Sequence, residues 1–89
     1  MRYLNKKLTI EGINIQNIAK KYSTPAYCYS FKKLADNIKN FKSNFRSLSP
    51  LICFAIKSNT NIFLIKEIKK LGLGADVVSI GELMIVLTL

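Results

Sequence analysis

Apolar residues recur along this chain at two different periods, and the changes of period mark its elements. Residues 1–13 alternate loosely, with Leu8, Ile10 and Ile13 on one side, and read as a weak strand or an extended arm. Asn14 then offers an N-cap to a short helix whose apolar face is Ile15, Ile18, Ala19 and Tyr22. Lys20 and Lys21 lie near its C-terminal end, where cations suit the helix dipole. Ser23-Thr24-Pro25 stops that helix, because the residue before a proline is pushed out of the α region. Ala26 to Tyr29 reads as a short, aromatic-rich strand.

Ser30 is placed to cap a second helix, from Phe31 to about Arg46, in which Leu34, Ile38, Phe41 and Phe45 form one apolar stripe. After the turn Ser47-Leu48-Ser49-Pro50, Leu51 to Ile56 is an unbroken apolar run, which suits a strand buried on both faces. The polar stretch Lys57-Ser58-Asn59-Thr60-Asn61 follows. A third helix starts near Ile62, carries Leu64, Ile68 and Leu71 on one stripe with Ile65 beside them, and ends at Gly72. Ala75 to Val78 is a second short strand, and Ser79-Ile80-Gly81-Glu82 opens a last helix. The second half therefore reads as a βαβ unit with parallel strands and a right-handed crossover, and the fold class is α/β. No repeat and no linker interrupts it.

Size and composition narrow the function. A chain of 89 residues buries only about 60% of its unfolded surface, enough for one small core. The absence of histidine removes Ser-His triads, histidine-ligated zinc and any imidazole base. Chemistry carried by an organic cofactor remains open. Cys28 and Cys53 lie in apolar runs, make no disulfide framework and read as small hydrophobes of a reduced, cytoplasmic protein. No signal peptide is visible, and the longest apolar run, Leu83 to Leu89, is far below the roughly 20 residues of a membrane span. The net charge of +9 suggests a small basic nucleic-acid-binding module as an alternative. The basic residues are nevertheless spread over several helices, and Phe41 and Phe45 fall on an apolar stripe instead of interleaving with the charge.

Lys57 is the informative position, because it ends an apolar strand, where α/β folds place their functional groups. A lysine there is partly withdrawn from water, which favours the neutral amine, nucleophilic toward carbonyls. The plain alternative is a solvated lysine that merely ends the strand. Ser79 and Glu82 have capping-box spacing, and Asn59 or Asn61 suits the cap of the following helix.

Three blocks of sequence point further. Thr24-Pro25-Ala26-Tyr27-Cys28-Tyr29, Cys53-Phe54-Ala55-Ile56-Lys57-Ser58-Asn59-Thr60-Asn61 and Gly72-Leu73-Gly74-Ala75-Asp76-Val77-Val78-Ser79-Ile80-Gly81-Glu82-Leu83 occur in order. They resemble the T-P-x-Y-V-Y, Y-A-V-K-A-N-x-N and G-x-G-A-D-V-V-S-x-G-E-L segments of pyridoxal-phosphate-dependent decarboxylases of the alanine-racemase fold type. That is the ornithine, diaminopimelate and arginine decarboxylase family, and the diaminopimelate branch is most similar. Ser58 stands where that pattern has alanine, Phe54 where it has tyrosine, and Ile80 fills its variable position.

The resemblance implies pyridoxal 5'-phosphate as cofactor and Lys57 as the lysine that forms the internal Schiff base. It implies that Asp76 is the acid beside that lysine and the cofactor ring, where a carboxylate helps hold the amine in position. A strand-start aspartate satisfied by local backbone N–H groups is the alternative for Asp76. Ala55, two residues before Lys57 on the expected strand, points the same way and is small enough to leave room for a flat ring. The architecture implied is an incomplete (β/α)8 barrel, with residues 1–25 as an N-terminal arm and short helix and 26–89 as the start of the barrel. The implied reaction is decarboxylation of meso-diaminopimelate to L-lysine, another basic amino acid being the alternative substrate. A whole barrel needs about 250 residues. The family's phosphate loop, its ring-stacking histidine, its acid for the pyridine nitrogen and its β domain all fall beyond residue 89. The expectation is thus a segment inactive alone, with exposed sheet edges, dependent on a complementary chain or a homodimer.

Overall fold

Two tight turns, each with two consecutive residues at positive φ, fold the N-terminal residues of the computed structural model into an antiparallel meander. The strands are β1 (Arg2–Leu4), β2 (Lys7–Ile10) and β3 (Ile13–Asn14). Asn5 and Lys6 (φ 49° and 64°) join β1 to β2, and Glu11 and Gly12 (φ 51° and 79°) join β2 to β3. That is the backbone a two-residue hairpin with right-handed strand twist requires. The loose alternation of residues 1–13 is thus a three-stranded sheet, not a single arm. Thr9 is buried, and its hydroxyl donates to the Arg2 carbonyl oxygen at 2.8 Å across the β1–β2 register.

Helix α1 (Ile15–Tyr22) follows directly and packs on β2 and β3. Asn14 caps it as expected, its side chain accepting the Gln16 N–H at 3.0 Å. Residues Ala26 to Tyr29 form no strand. No neighbouring segment offers them a ladder, and Tyr27 and Tyr29 are exposed. The structure describes all of residues 1–89 and divides into two compact units, 1–34 and 35–89, with helix α2 (Phe31–Asn44) spanning the division. The Ser30 hydroxyl accepts the Lys33 N–H at 3.0 Å at its start. The apolar stripe of α2 is covered at one end only: Leu34 and Ile38 are half-buried, whereas Phe41 and Phe45 are exposed and stack on each other with ring centroids 4.8 Å apart.

The second unit contains β4 (Cys53–Ala55), α3 (Ile62–Lys70), β5 (Gly74–Asp76) and α4 (Ile80–Leu87). The two strands are parallel, with Cys53 opposite Gly74, Phe54 opposite Ala75 and Ala55 opposite Asp76. The expected βαβ order and strand direction are present, and the architecture is mixed α/β. The core is small: Ile56, Leu64, Ile65 and Ile68 are buried. An apolar cavity of about 200 Å³, lined by Phe54, Ile65, Ile68, Leu73 and Val86 among others, separates strand and helix side chains.

Burial of Leu51–Ile56 on both faces does not hold. Leu51 is 85% exposed, Cys53 is exposed and Phe54 is half-buried. Double-sided burial needs a layer on each face of a sheet, and a two-stranded sheet has too few neighbours to supply it. Cys28 is exposed as well, so neither thiol acts as a core residue.

The second strand begins one residue earlier than its apolar run. After α3 the Gly72 N–H bonds the Lys69 oxygen at 3.0 Å and the Leu73 N–H bonds the Ile68 oxygen at 3.3 Å, with Gly72 at φ 83°. This paired closure of a helix end needs a left-handed residue, which glycine adopts without a Cβ penalty. The Gly74 N–H then bonds the Ile52 oxygen at 2.9 Å, starting the parallel ladder at once.

Candidate functional site

The carboxyl ends of β4 and β5 lie side by side because the strands are parallel, and each carries one group of chemical interest. Ala55, half-buried, is the last residue of β4 and stands opposite Asp76, the exposed last residue of β5. Lys57 comes two residues after Ala55. An antiparallel pairing would have sent the acid to the far end of the sheet.

Lys57 is not an extension of β4. It occupies the middle of a single 3₁₀ turn, Ile56–Ser58, so strand alternation does not set its direction relative to Ala55. The turn follows from its neighbours. Ile56 is 1% exposed and anchors one side of it in the core. The Asn59 N–H closes the turn on the Ile56 oxygen at 3.0 Å, and the Ser58 hydroxyl donates to the Ala55 oxygen at 2.8 Å. Lys57 itself is exposed, so its expected withdrawal from water is absent from the fold. Two strands and a turn do not wall it in.

The polar residues after Lys57 build the entry to α3. The Asn59 side chain accepts the Asn61 N–H at 3.0 Å, and the Asn61 side chain accepts the N–H groups of Phe63 and Leu64 at 3.0 and 3.4 Å. Asn61 is therefore a helix cap, while Asn59 makes a turn ahead of it. The Ser79 hydroxyl likewise accepts the Glu82 N–H at 3.1 Å, and Glu82 Oε2 accepts the Val78 N–H at 2.7 Å. That reciprocal arrangement is a capping box shifted by one residue. The role of Ser58 escaped the sequence reading, although a hydroxyl bonding a carbonyl three residues back is a known habit of serine.

The site offers a primary amine open to solvent, a carboxylate at the same end of the sheet and a small side chain opposite that carboxylate. No group of His, Cys, Asp and Glu in the chain can hold a metal ion.

Comparison with known proteins places the sequence in a family. Residues 31–89 match the family model described as the pyridoxal binding domain of pyridoxal-dependent decarboxylase. Diaminopimelate decarboxylase of Neisseria meningitidis serogroup A is 40% identical over 80 residues, which is 90% of this chain and 20% of the relative. The Haemophilus influenzae protein of that name is 42% identical over 82 residues, 92% of this chain and 20% of the relative. The Aquifex aeolicus one is 37% identical over 83 residues, 93% of this chain and 19% of the relative. No solved structure gives a significant match. The chain thus spans about one fifth of the length of the curated relatives it matches. By a match covering the whole of its βαβ unit, the chain belongs to the pyridoxal-dependent decarboxylases and carries sequence of their pyridoxal binding domain.

Proposed function

We propose that this chain supplies the lysine-bearing opening segment of a pyridoxal-phosphate-dependent amino-acid decarboxylase, with meso-diaminopimelate as substrate and L-lysine and CO₂ as products. The observation that carries this reading is the register of Ala55 on Asp76 with Lys57 two residues beyond, inside the family match. The choice of substrate follows from the relatives, which are diaminopimelate decarboxylases. Other basic amino acids are the substrates to compare in a decarboxylation assay.

The residues fit the aldehyde end of the cofactor. Lys57 contributes the amine that holds it, and its exposure leaves that amine open to approach. Asp76 contributes a carboxylate to orient the amine, and Ala55 leaves space beside it. When bound, pyridoxal phosphate supplies an electron-withdrawing ring that accepts the electron pair released as a carboxylate leaves. The work of this chain is to hold and aim the amine.

We further infer that residues 26–89 open a (β/α)₈ barrel, residues 1–25 forming the arm and short helix ahead of it. The segment is then not catalytically competent alone and acts with a complementary chain or in a homodimer. Uncovered apolar side chains support this, among them Ile80, Leu83, Met84 and Leu87, which share one face of α4. A cytoplasmic location belongs to the same reading, and no helix is long and apolar enough to cross a membrane.

Reductive trapping tests the site. The chain is incubated with pyridoxal phosphate, reduced with borohydride, digested and mapped. Label concentrated at Lys57 supports the reading, and label spread evenly over the exposed lysines overturns it.

A further inference from the structure

Ser58 departs from the family-like pattern, and the fold shows what its hydroxyl does. It donates to the Ala55 carbonyl oxygen at 2.8 Å, closing the same turn that the Asn59 N–H closes on Ile56 at 3.0 Å. The two bonds flank Lys57 on the chain. One ends on the residue registered opposite Asp76, the other on the buried residue that fixes the turn to the core. A 3₁₀ turn of three residues has weak hydrogen-bond geometry of its own, so a second tie restricts it substantially. We propose that Ser58 is a positioning residue, whose hydroxyl holds the Lys57 backbone against the end of β4 and so restricts the directions its amine can take.

This inference rests on Lys57 being the reactive amine, but its first consequence does not involve any ligand. With the hydroxyl removed, the turn keeps only its backbone bond and opens more often. The exposed residue Lys57 then samples more directions, and its advantage over the other exposed lysines toward an aldehyde falls. A threonine retains the hydroxyl and retains the tie.

The test compares the wild-type chain, Ser58→Ala and Ser58→Thr by amide hydrogen exchange and by pyridoxal phosphate trapping with borohydride. In Ser58→Ala, exchange of the Asn59 amide is expected to rise about threefold, the scale of one exposed hydrogen bond, and the share of label at Lys57 to fall by a similar factor. Ser58→Thr restores both. The Ile65 amide, which bonds the Asn61 oxygen at 3.0 Å inside α3, should exchange at an unchanged rate and so report that the unit stays folded. Unchanged Asn59 exchange in Ser58→Ala, or a Ser58→Thr variant that behaves like Ser58→Ala, overturns the proposal. Even label in the wild-type chain would sink the reading of Lys57, while Asn59 exchange would still decide whether Ser58 ties the turn.

Discussion

Gly74 and Cys53 face each other so closely that a Cβ built on the glycine would lie 2.9 Å from the cysteine Sγ. They are the first register pair of the parallel sheet, so this contact sits where the ladder begins. The thiol is exposed and can leave by rotating about χ1, whereas the nearest backbone atom, the Ile52 oxygen, is at an ordinary 3.8 Å. The obstacle to a side chain at position 74 is therefore one sulfur atom.

A double-mutant cycle follows from that contact. Gly74→Ala in the wild-type background is expected to change the stability of the second unit by less than about 0.5 kcal/mol, the cost of rotating the exposed thiol offsetting the gain in chain entropy. In a Cys53→Ala background the same change should stabilise by about 0.5 kcal/mol, because a strand glycine loses more chain entropy than alanine. Urea unfolding of the four proteins measures the difference.

The helix caps should separate by the number of N–H groups each satisfies. Asn61 accepts two and Ser79 accepts one. Asn61→Ala is expected to cost about 1–2 kcal/mol and Ser79→Ala about 0.5–1 kcal/mol. Aspartate at position 61 should retain most of the wild-type stability, since it accepts the same bonds and suits the helix N-terminus. Circular dichroism melts of the three variants check the order.

Ile56 joins stability to the site. It is 1% exposed and immediately precedes Lys57. Ile56→Ala should cost about 2–4 kcal/mol, within the range for large-to-small core changes, and abolish any cooperative unfolding transition in so small a core. Ile56→Val, losing one methylene, should cost about 1 kcal/mol and leave a measurable transition.

Lys57 and Asp76 should behave in the opposite way. Both are exposed, and neither forms an ion pair. Lys57→Ala and Asp76→Asn are expected to shift stability by less than about 0.5 kcal/mol, as surface changes do. Lys57→Ala should remove selective trapping by pyridoxal phosphate altogether, and Asp76→Asn should weaken it. Peptide mapping beside a denaturation curve on each sample reads both effects at once.

Local order in this chain is mostly a matter of short-range chemistry, and for that reason it was legible. Asn14, Ser30 and Ser79 each cap the helix that their spacing predicts, Asn61 is the one of the two candidate asparagines that caps α3, and Gly72 ends α3 through its left-handed backbone. These bonds close within a few residues and need no distant partner. Lys57, Asp76 and Ala55 were marked out by resemblance to the decarboxylase segments, because residue type and order alone leave a solvated lysine and a locally bonded aspartate equally open.

Tertiary structure decided what depends on neighbours. Ala26–Tyr29 has the composition of a strand but finds no partner, and a strand exists only through its ladder. Leu51 and Cys53 have the apolarity of a buried strand but no second layer to cover them. The placement of Lys57 in a 3₁₀ turn was equally hidden, because it depends on Ile56 entering the core and on Ser58 reaching back to Ala55. The register of Ala55 on Asp76 belongs to the same class: it is fixed by where the α3 exit at Gly72 returns the chain to β4, a distance in space that no count along the sequence contains.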